Sequence, residues 1–168
     1  MKLISYNCFN FKANHLMVKC IMNEYDVCFF SEHWLGDSEG YLFNDICRNQ
    51  STIFSADFEN STRDRKVGRG RPFGGRCWVV RDSLNIKSYD KMSKSLSRLI
   101  VVDSFGVETI IYGVWQSFDD GSVERLSLFH STLSMLEAEI KYFSDSNVVF
   151  MVDFNADLAR NRRFDGLL

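Results

Sequence analysis

Apolar residues along this chain gather in short unbroken runs that stop at polar residues. Between these runs lie stretches in which they recur every three or four positions. The first pattern reads as a buried strand and the second as an amphipathic helix. Lys2-Leu3-Ile4-Ser5-Tyr6-Asn7 is a short β-prone run that ends at Asn7. From Phe11 to Glu24, Leu16, Met17, Cys20 and Ile21 recur at helical spacing and predict a helix with that stripe inward. Val27-Cys28-Phe29-Phe30-Ser31-Glu32 predicts a second buried strand, ending in a carboxylate. Strand, helix, strand implies a right-handed crossover and a parallel pair, which puts Asn7 and Glu32 at one edge of one sheet. A short helix is expected between Gly40 and Gln50, and strands over Cys77 to Arg81, Asn85 to Tyr89, Arg98 to Ser104 and Val107 to Trp115. Ser104-Phe105-Gly106 between the last two reads as a hairpin turn, so the sheet system is mixed. From Ser122 to Phe143, Val123, Leu126, Phe129, Leu133, Leu136 and Ile140 mark a long amphipathic helix. The last run, Val148 to Val152, stops at Asp153 and reads as a strand buried on both faces.

Three predicted strands therefore end in groups with chemistry: Asn7, Glu32 and Asp153-x-Asn155. In open α/β sheets the C-terminal edge of the strands is where ligands bind. On an extended backbone Asp153 and Asn155 point the same way. One can accept a proton and the other donate a hydrogen bond, the pairing that attack at a phosphate needs. The plainer alternative is a strand closed by an Asx-type turn. Carboxylates from separate strands suit a hard cation such as Mg²⁺, which takes oxygen ligands and keeps waters.

A basic loop changes the picture further. Arg63, Arg65, Lys66, Arg69, Arg71 and Arg76 stand against one acid, Asp64, a local charge of +5. Such a run is either a solvated loop or a surface for phosphate backbones. Mg²⁺ beside it would suit phosphodiester cleavage. Gly74-Gly75 permits positive φ or close backbone approach, and no Gly-Lys-Ser/Thr follows to make a nucleotide-binding loop. Arg160, Arg162 and Arg163 form a second basic cluster. His15, His33, Trp34 and His130 read as packing or surface residues.

Composition narrows the class. The 168 residues suffice for one domain, and 45% hydrophobic with 25% charged residues is ordinary for a globular chain. A net charge of -2 leaves any nucleic-acid binding to a local patch. One Pro excludes Pro-rich linkers. Five cysteines, an odd number without Cys-x-x-Cys, point to neither a disulfide framework nor a zinc knuckle. No secretory signal and no run of membrane-spanning length is found, so a reducing, intracellular compartment, nuclear or cytoplasmic, is expected.

Ser5-Tyr6-Asn7, Phe30-Ser31-Glu32-His33-Trp34-Leu35, Gly70-Arg71-Pro72-Phe73-Gly74-Gly75 and Val152-Asp153-Phe154-Asn155-Ala156-Asp157, in this order, resemble the endonuclease/exonuclease/phosphatase superfamily. The Arg-Pro-Phe-Gly-Gly step and the Arg-Arg-Phe-Asp near the end look most like the endonuclease domain of LINE-type non-LTR retrotransposons, relatives of the apurinic/apyrimidinic endonucleases. The resemblance implies an α/β fold of DNase I-like type, a four-layer sandwich of two mixed β-sheets flanked by helices. It implies one domain over residues 1–168 that lacks the closing C-terminal strands. Glu32 would hold Mg²⁺ or Mn²⁺, Asn7 would orient the metal and the scissile phosphate, Asp153 would orient or deprotonate the attacking water, and Asn155 would stabilise charge on the phosphate. DNA is the implied partner, with a reverse transcriptase domain in the same parent polyprotein, no membrane, and a monomeric state.

The chain also departs from that pattern. Trp115-Gln116-Ser117 stands where the family has Tyr followed two residues later by Pro, and an indole N–H only donates. Val152 replaces a Gly. The closing Asp and Ser-Asp-His are not found, and neither His33 nor His130 has the context to substitute. Two classes of function follow: a Mg²⁺-dependent DNA-nicking endonuclease, weak or inactive as these 168 residues, or a non-catalytic nucleic-acid-binding remnant. A phosphatase of the same fold acting on small phosphoesters is a further reading within the enzyme class.

Overall fold

A computed structural model of the chain describes residues 1–58 and 74–156. Eight strands and three α-helices lie among them: β1 (Leu3–Asn7), α1 (Phe11–Glu24), β2 (Val27–Ser31), α2 (Tyr41–Ile46), β3 (Gln50–Phe58), β4 (Gly74–Arg81), β5 (Asn85–Lys91), β6 (Leu96–Val102), β7 (Glu108–Trp115), α3 (Val123–Tyr142) and β8 (Asn147–Asp153). They make two mixed four-stranded sheets, in the orders β1-β2-β4-β3 and β5-β6-β7-β8. The α/β class with two mixed sheets flanked by helices is thus the one observed. The chain divides into two compact units, Met1–Asn85 with Asp103–Phe105, and Ile86–Val102 with Gly106–Leu168. No helix among the described residues is long and apolar enough to cross a membrane.

In the first unit β1 and β2 run parallel, with Asn7 opposite Ser31, and β2 pairs antiparallel with β4. The crossover α1 packs Phe11, Val18, Ile21 and Met22 onto Cys28, Phe30, Cys77 and Val79 of the sheet, and Phe43 of α2 joins them. The buried stripe of α1 is not the expected one. Leu16 and Met17 are exposed, as is Cys20; only Ile21 of that set is inward. Asn14, non-helical at φ -115°, breaks the regular turn, and its side chain donates to the Cys8 carbonyl at 2.8 Å. The helix therefore starts from Phe11 and presents positions 11, 18, 21 and 22. Strand β3, polar and without clear periodicity, had no sequence signal and is the outer neighbour of β4, with an irregularity between Ser55 and Phe58.

His33, directly after the β2 loop begins, is fully buried. Its Nδ1 accepts from the Leu35 N–H at 3.0 Å, and its Nε2 lies 3.1 Å from the Ser55 carbonyl. Both contacts are satisfied by the neutral ring with its proton on Nε2. The ring stacks on Phe54 at 4.6 Å. Gly75, at φ +86°, makes the space: a Cβ there would lie 2.2 Å from His33 Cε1. The glycine pair read as a site of close approach is a cradle for this imidazole.

In the second unit β6 and β7 pair antiparallel with Val102 opposite Glu108, and Gly106 ahead of β7 has φ +80°. Helix α3 starts at Ser122, whose hydroxyl accepts from the Arg125 N–H, and covers the sheet with Leu136 against Leu96, Ile110, Tyr112 and Val114. Val123 and Ile140, at the two ends of the expected stripe, are exposed. Arg98 holds the helix by its Nη1, 2.7 Å from Glu139, and holds Asp90 by Nη2 at 2.9 Å. Strand β8 is not buried on both faces. It pairs in parallel with β7 and, among the described residues, with no other strand, and Phe150 and Val152 are 37% and 39% exposed.

Gly75→Ala is expected to cost about 2–4 kcal/mol of stability, from positive φ together with the clash on a ring that packing prevents from moving; urea denaturation measures it. Burial, the main cause, lowers the His33 pKa from 6.5 to about 4. The unfolded chain therefore binds this proton first as pH falls, so stability is full above pH 6.5 and declines toward pH 4, by about 3 kcal/mol in all. Denaturation midpoints between pH 7 and 4.5 should fall accordingly, and His33→Gln should be less stable at pH 7 but flatter across that range.

Candidate functional site

The C-terminal edge of β1 and β2 carries both Asn7 and Glu32. Asn7 is exposed and closes an Asx turn, its Oδ1 accepting from the Phe9 N–H at 3.0 Å. The following loop is then laced to the segment after β2: Cys8 N–H to Ser31 O at 2.8 Å, Asn10 N–H to Glu32 O at 3.1 Å, Phe11 N–H to His33 O at 3.0 Å. Glu32 is half-buried, and its charge reaches Cys8: burial first, and then this carboxylate, push the Cys8 thiol far above its ordinary value. The backbone here is unusual. Phe9, Asn10, Glu32 and Trp34 all have positive φ, 43°, 86°, 52° and 56°. Left-handed residues other than glycine cost about 1–2 kcal/mol each. The neighbouring core, with Phe11, Phe30 and Phe43 fully or nearly buried at about 2–3 kcal/mol apiece, sustains them. Strain of this kind concentrates where side chains must be aimed.

The donor set suits a hard cation. Glu32 offers a carboxylate and Asn7 a carboxamide oxygen with a second lone pair, the sparse protein ligation that Mg²⁺ accepts while keeping waters. Among the described residues no group of three His, Cys, Asp or Glu side chains comes together as a full metal cage.

The C-terminal edge of the second sheet is described by itself. Asp153 ends β8 directly opposite Trp115, the last residue of β7. The chain then turns. Asn155 has φ 51°, its N–H donates to Asp153 Oδ1 at 3.3 Å, and its Nδ2 donates to the Gln116 carbonyl at 2.6 Å. The expectation that Asp153 and Asn155 project together from an extended strand is corrected: the pair forms an Asx turn, because the strand ends at Asp153. One amide hydrogen of Asn155 is spent on Gln116. Trp115 is nearly buried.

Of the basic residues expected on a contact surface, Arg63, Arg65, Lys66, Arg69 and Arg71 lie outside the described residues, as do Arg160, Arg162 and Arg163. Arg76 is inside them and is corrected: it is 2% exposed, and its Nη2 donates to Asp57 at 2.9 Å. It sits within β4, in register with Ser31 and Ser55, a strand whose residues from Gly74 to Val80 are all buried, so neither face leaves it at a surface.

Gln116 carries no motif of its own in the sequence. It is 3% exposed, its N–H donates to the Asp153 carbonyl at 2.9 Å, and its carboxamide oxygen is buried without a partner among the described residues. Its place directly after the Trp115 departure was the one available signal. Phe9 likewise carries no motif, and Trp34 reads in the sequence as packing. Their rings meet at 5.1 Å, each two positions along the chain from Asn7 or Glu32.

No family model matches the sequence, and no curated protein matches it. Solved structures do. The human Nocturnin catalytic domain with bound sulfate superposes with a TM-score of 0.67 at 13% identity, over 94% of this chain and 66% of that one. D. rerio TDP2 complexed with a single-strand DNA product gives 0.64 at 15% identity, over 95% and 64%. The 3' phosphatase NExo from Neisseria, bound to a product DNA hairpin, gives 0.54 at 13%, over 84% and 53%. The chain spans between about half and two thirds of the length of these structures. These neighbours are all members of the endonuclease/exonuclease/phosphatase, DNase I-like fold, and that fold is the one this chain shares.

Proposed function

We propose that this chain is a metal-dependent phosphodiester hydrolase domain acting on DNA, of the nicking type found in LINE-like retrotransposon endonucleases. The observation that supports the reading is the placement of Asn7 and Glu32 at the ends of two adjacent parallel strands, on a backbone strained into left-handed geometry at Glu32. The neighbours of like fold, one bound to single-strand DNA product and another to a product hairpin, support a nucleic-acid substrate over a small phosphoester.

Glu32 and Asn7 would hold Mg²⁺ or Mn²⁺, which supplies positive charge for the phosphate oxygens. Asp153 is the acceptor for the proton of the attacking water. Its Oδ1 takes the Asn155 N–H, which fixes the carboxylate rotamer. The carboxamide of Asn155, by the family resemblance, is the donor for charge growing on the phosphate. Trp115 holds the register opposite Asp153 but brings no hydroxyl. That last feature favours the second reading, a nucleic-acid-binding domain with little or no catalysis.

Nicking of supercoiled plasmid separates the two readings. The 168-residue chain should nick weakly in Mg²⁺ or Mn²⁺, with Asp153→Ala lowering the rate about 10²-fold or more and Glu32→Gln raising the metal concentration required. Binding of plasmid without any Asp153-dependent nicking would leave only the binding domain. A second measurement concerns the basic segment. Neutralising Arg63, Arg65 and Arg69 together should weaken duplex binding equally for all sequences and flatten the salt slope by about 0.9 for each phosphate no longer neutralised. Arg76→Gln should lower stability, because it leaves Asp57 without its cationic partner.

A further inference from the structure

The loop after β1 and the loop after β2 do more than present Asn7 and Glu32. Each also carries an aromatic residue at positive φ, Phe9 at 43° and Trp34 at 56°. Phe9 is 68% exposed, yet its ring lies 5.1 Å from the Trp34 ring, tilted by 53°. Left-handed φ is rare for bulky residues, and an exposed phenyl ring gains little from folding. The two bonds Cys8 N–H to Ser31 O and Asn10 N–H to Glu32 O bracket Phe9 and fix its direction, while Trp34 N–H donates to Gly74 O at 3.1 Å and fixes the other wall. The result is a rigid aromatic pair on the surface, with Phe9 two positions along the chain from Asn7 and Trp34 two positions from Glu32.

We propose that Phe9 and Trp34 form a stacking platform for an unpaired nucleobase next to the phosphate handled by Asn7 and Glu32. The proposal rests on the phosphodiesterase reading and adds to it what the site selects. A flat exposed ring offers π-contact but no hydrogen-bond code, so it accepts any base whose face is free. A base inside a duplex has both faces covered by its neighbours. The platform therefore selects DNA in which a base is unstacked at the reacting position: a single strand, a frayed end or a bulge.

The test compares two single-stranded oligonucleotides of equal length and charge, one with bases and one with an abasic backbone, by fluorescence anisotropy at one salt concentration. The 168-residue chain should bind the base-bearing strand more tightly. Phe9→Ala should weaken that strand about five- to hundredfold and leave the abasic strand unchanged. Phe9→Tyr should restore it. Phe9 is exposed, so its truncation leaves the fold intact, and circular dichroism serves as the check. In Phe9→Ala the base-dependent quenching of Trp34 fluorescence, read as the difference from Trp34→Phe, should shrink in parallel. Equal wild-type affinity for the two strands overturns the platform alone, with the hydrolase reading untouched. Equal weakening on both strands in Phe9→Ala also overturns it. Failure of the wild type to bind either strand also overturns the platform, while plasmid nicking decides the hydrolase reading separately.

Discussion

A buried imidazole is the fixed point of the first unit. The neutral His33 ring is held on one nitrogen by Leu35 and on the other by Ser55, and it fits only because Gly75 has no Cβ. Its sequence neighbours, Glu32 and Trp34, both turn left-handed, so the chain folds around the ring and sends each of them off the strand line. Fixing one side chain inside thereby aims two side chains at the edge. A charged imidazole could not hold the loop in the same way, since Nδ1 must accept. The geometry of the metal-binding candidate and of the aromatic pair therefore depends on burial strong enough to keep His33 neutral.

The second unit uses charge where the first uses a ring. Arg98 reaches Glu139 on α3 and Asp90 on β5, and its guanidinium lies 5.4 Å from the Phe143 ring centre. Tyr112, beneath, donates to the same Glu139. Charge-assisted bonds of this kind are stronger than neutral ones and fix orientation as well as distance. They set the end of α3 over the sheet, and the end of α3 leads into β8. The position of Asp153 is thus decided partly by an arginine far from it in sequence.

At the edge of that second sheet, turn formation and chemistry share the same atoms. Asn155 closes the turn with its own backbone N–H and spends one amide hydrogen on Gln116. The turn costs the site a donor and gives it a rigid carboxylate. Gln116, whose buried carboxamide oxygen has no partner among the described residues, leaves polar capacity in the same place. A buried unpaired carbonyl costs on the order of 1–3 kcal/mol, so it is retained against stability.

Hydrophobic pattern and turn residues determined the order and type of most elements: the parallel β1–β2 crossover, the β6–β7 hairpin, the long helix α3 and the polar residues at the ends of three strands. These follow from local rules, period, caps and turn residues, which act within a few positions. Tertiary structure decided what local rules leave degenerate. Helix α1 has two apolar stripes, and only packing on the first sheet, with the break at Asn14, selected Phe11, Val18, Ile21 and Met22 over Leu16 and Met17. An apolar run such as Val148 to Val152 is compatible with a central or an outer strand, and pairing, not composition, set its exposure. Strand β3 is held by its partner β4 rather than by its own sequence. Arg76 reads as surface charge in any linear view, yet it lies on a strand buried on both faces and pairs there with Asp57. Gly75 and His33 are 42 positions apart, and only folding, which brings the glycine against the ring, shows why both must be what they are.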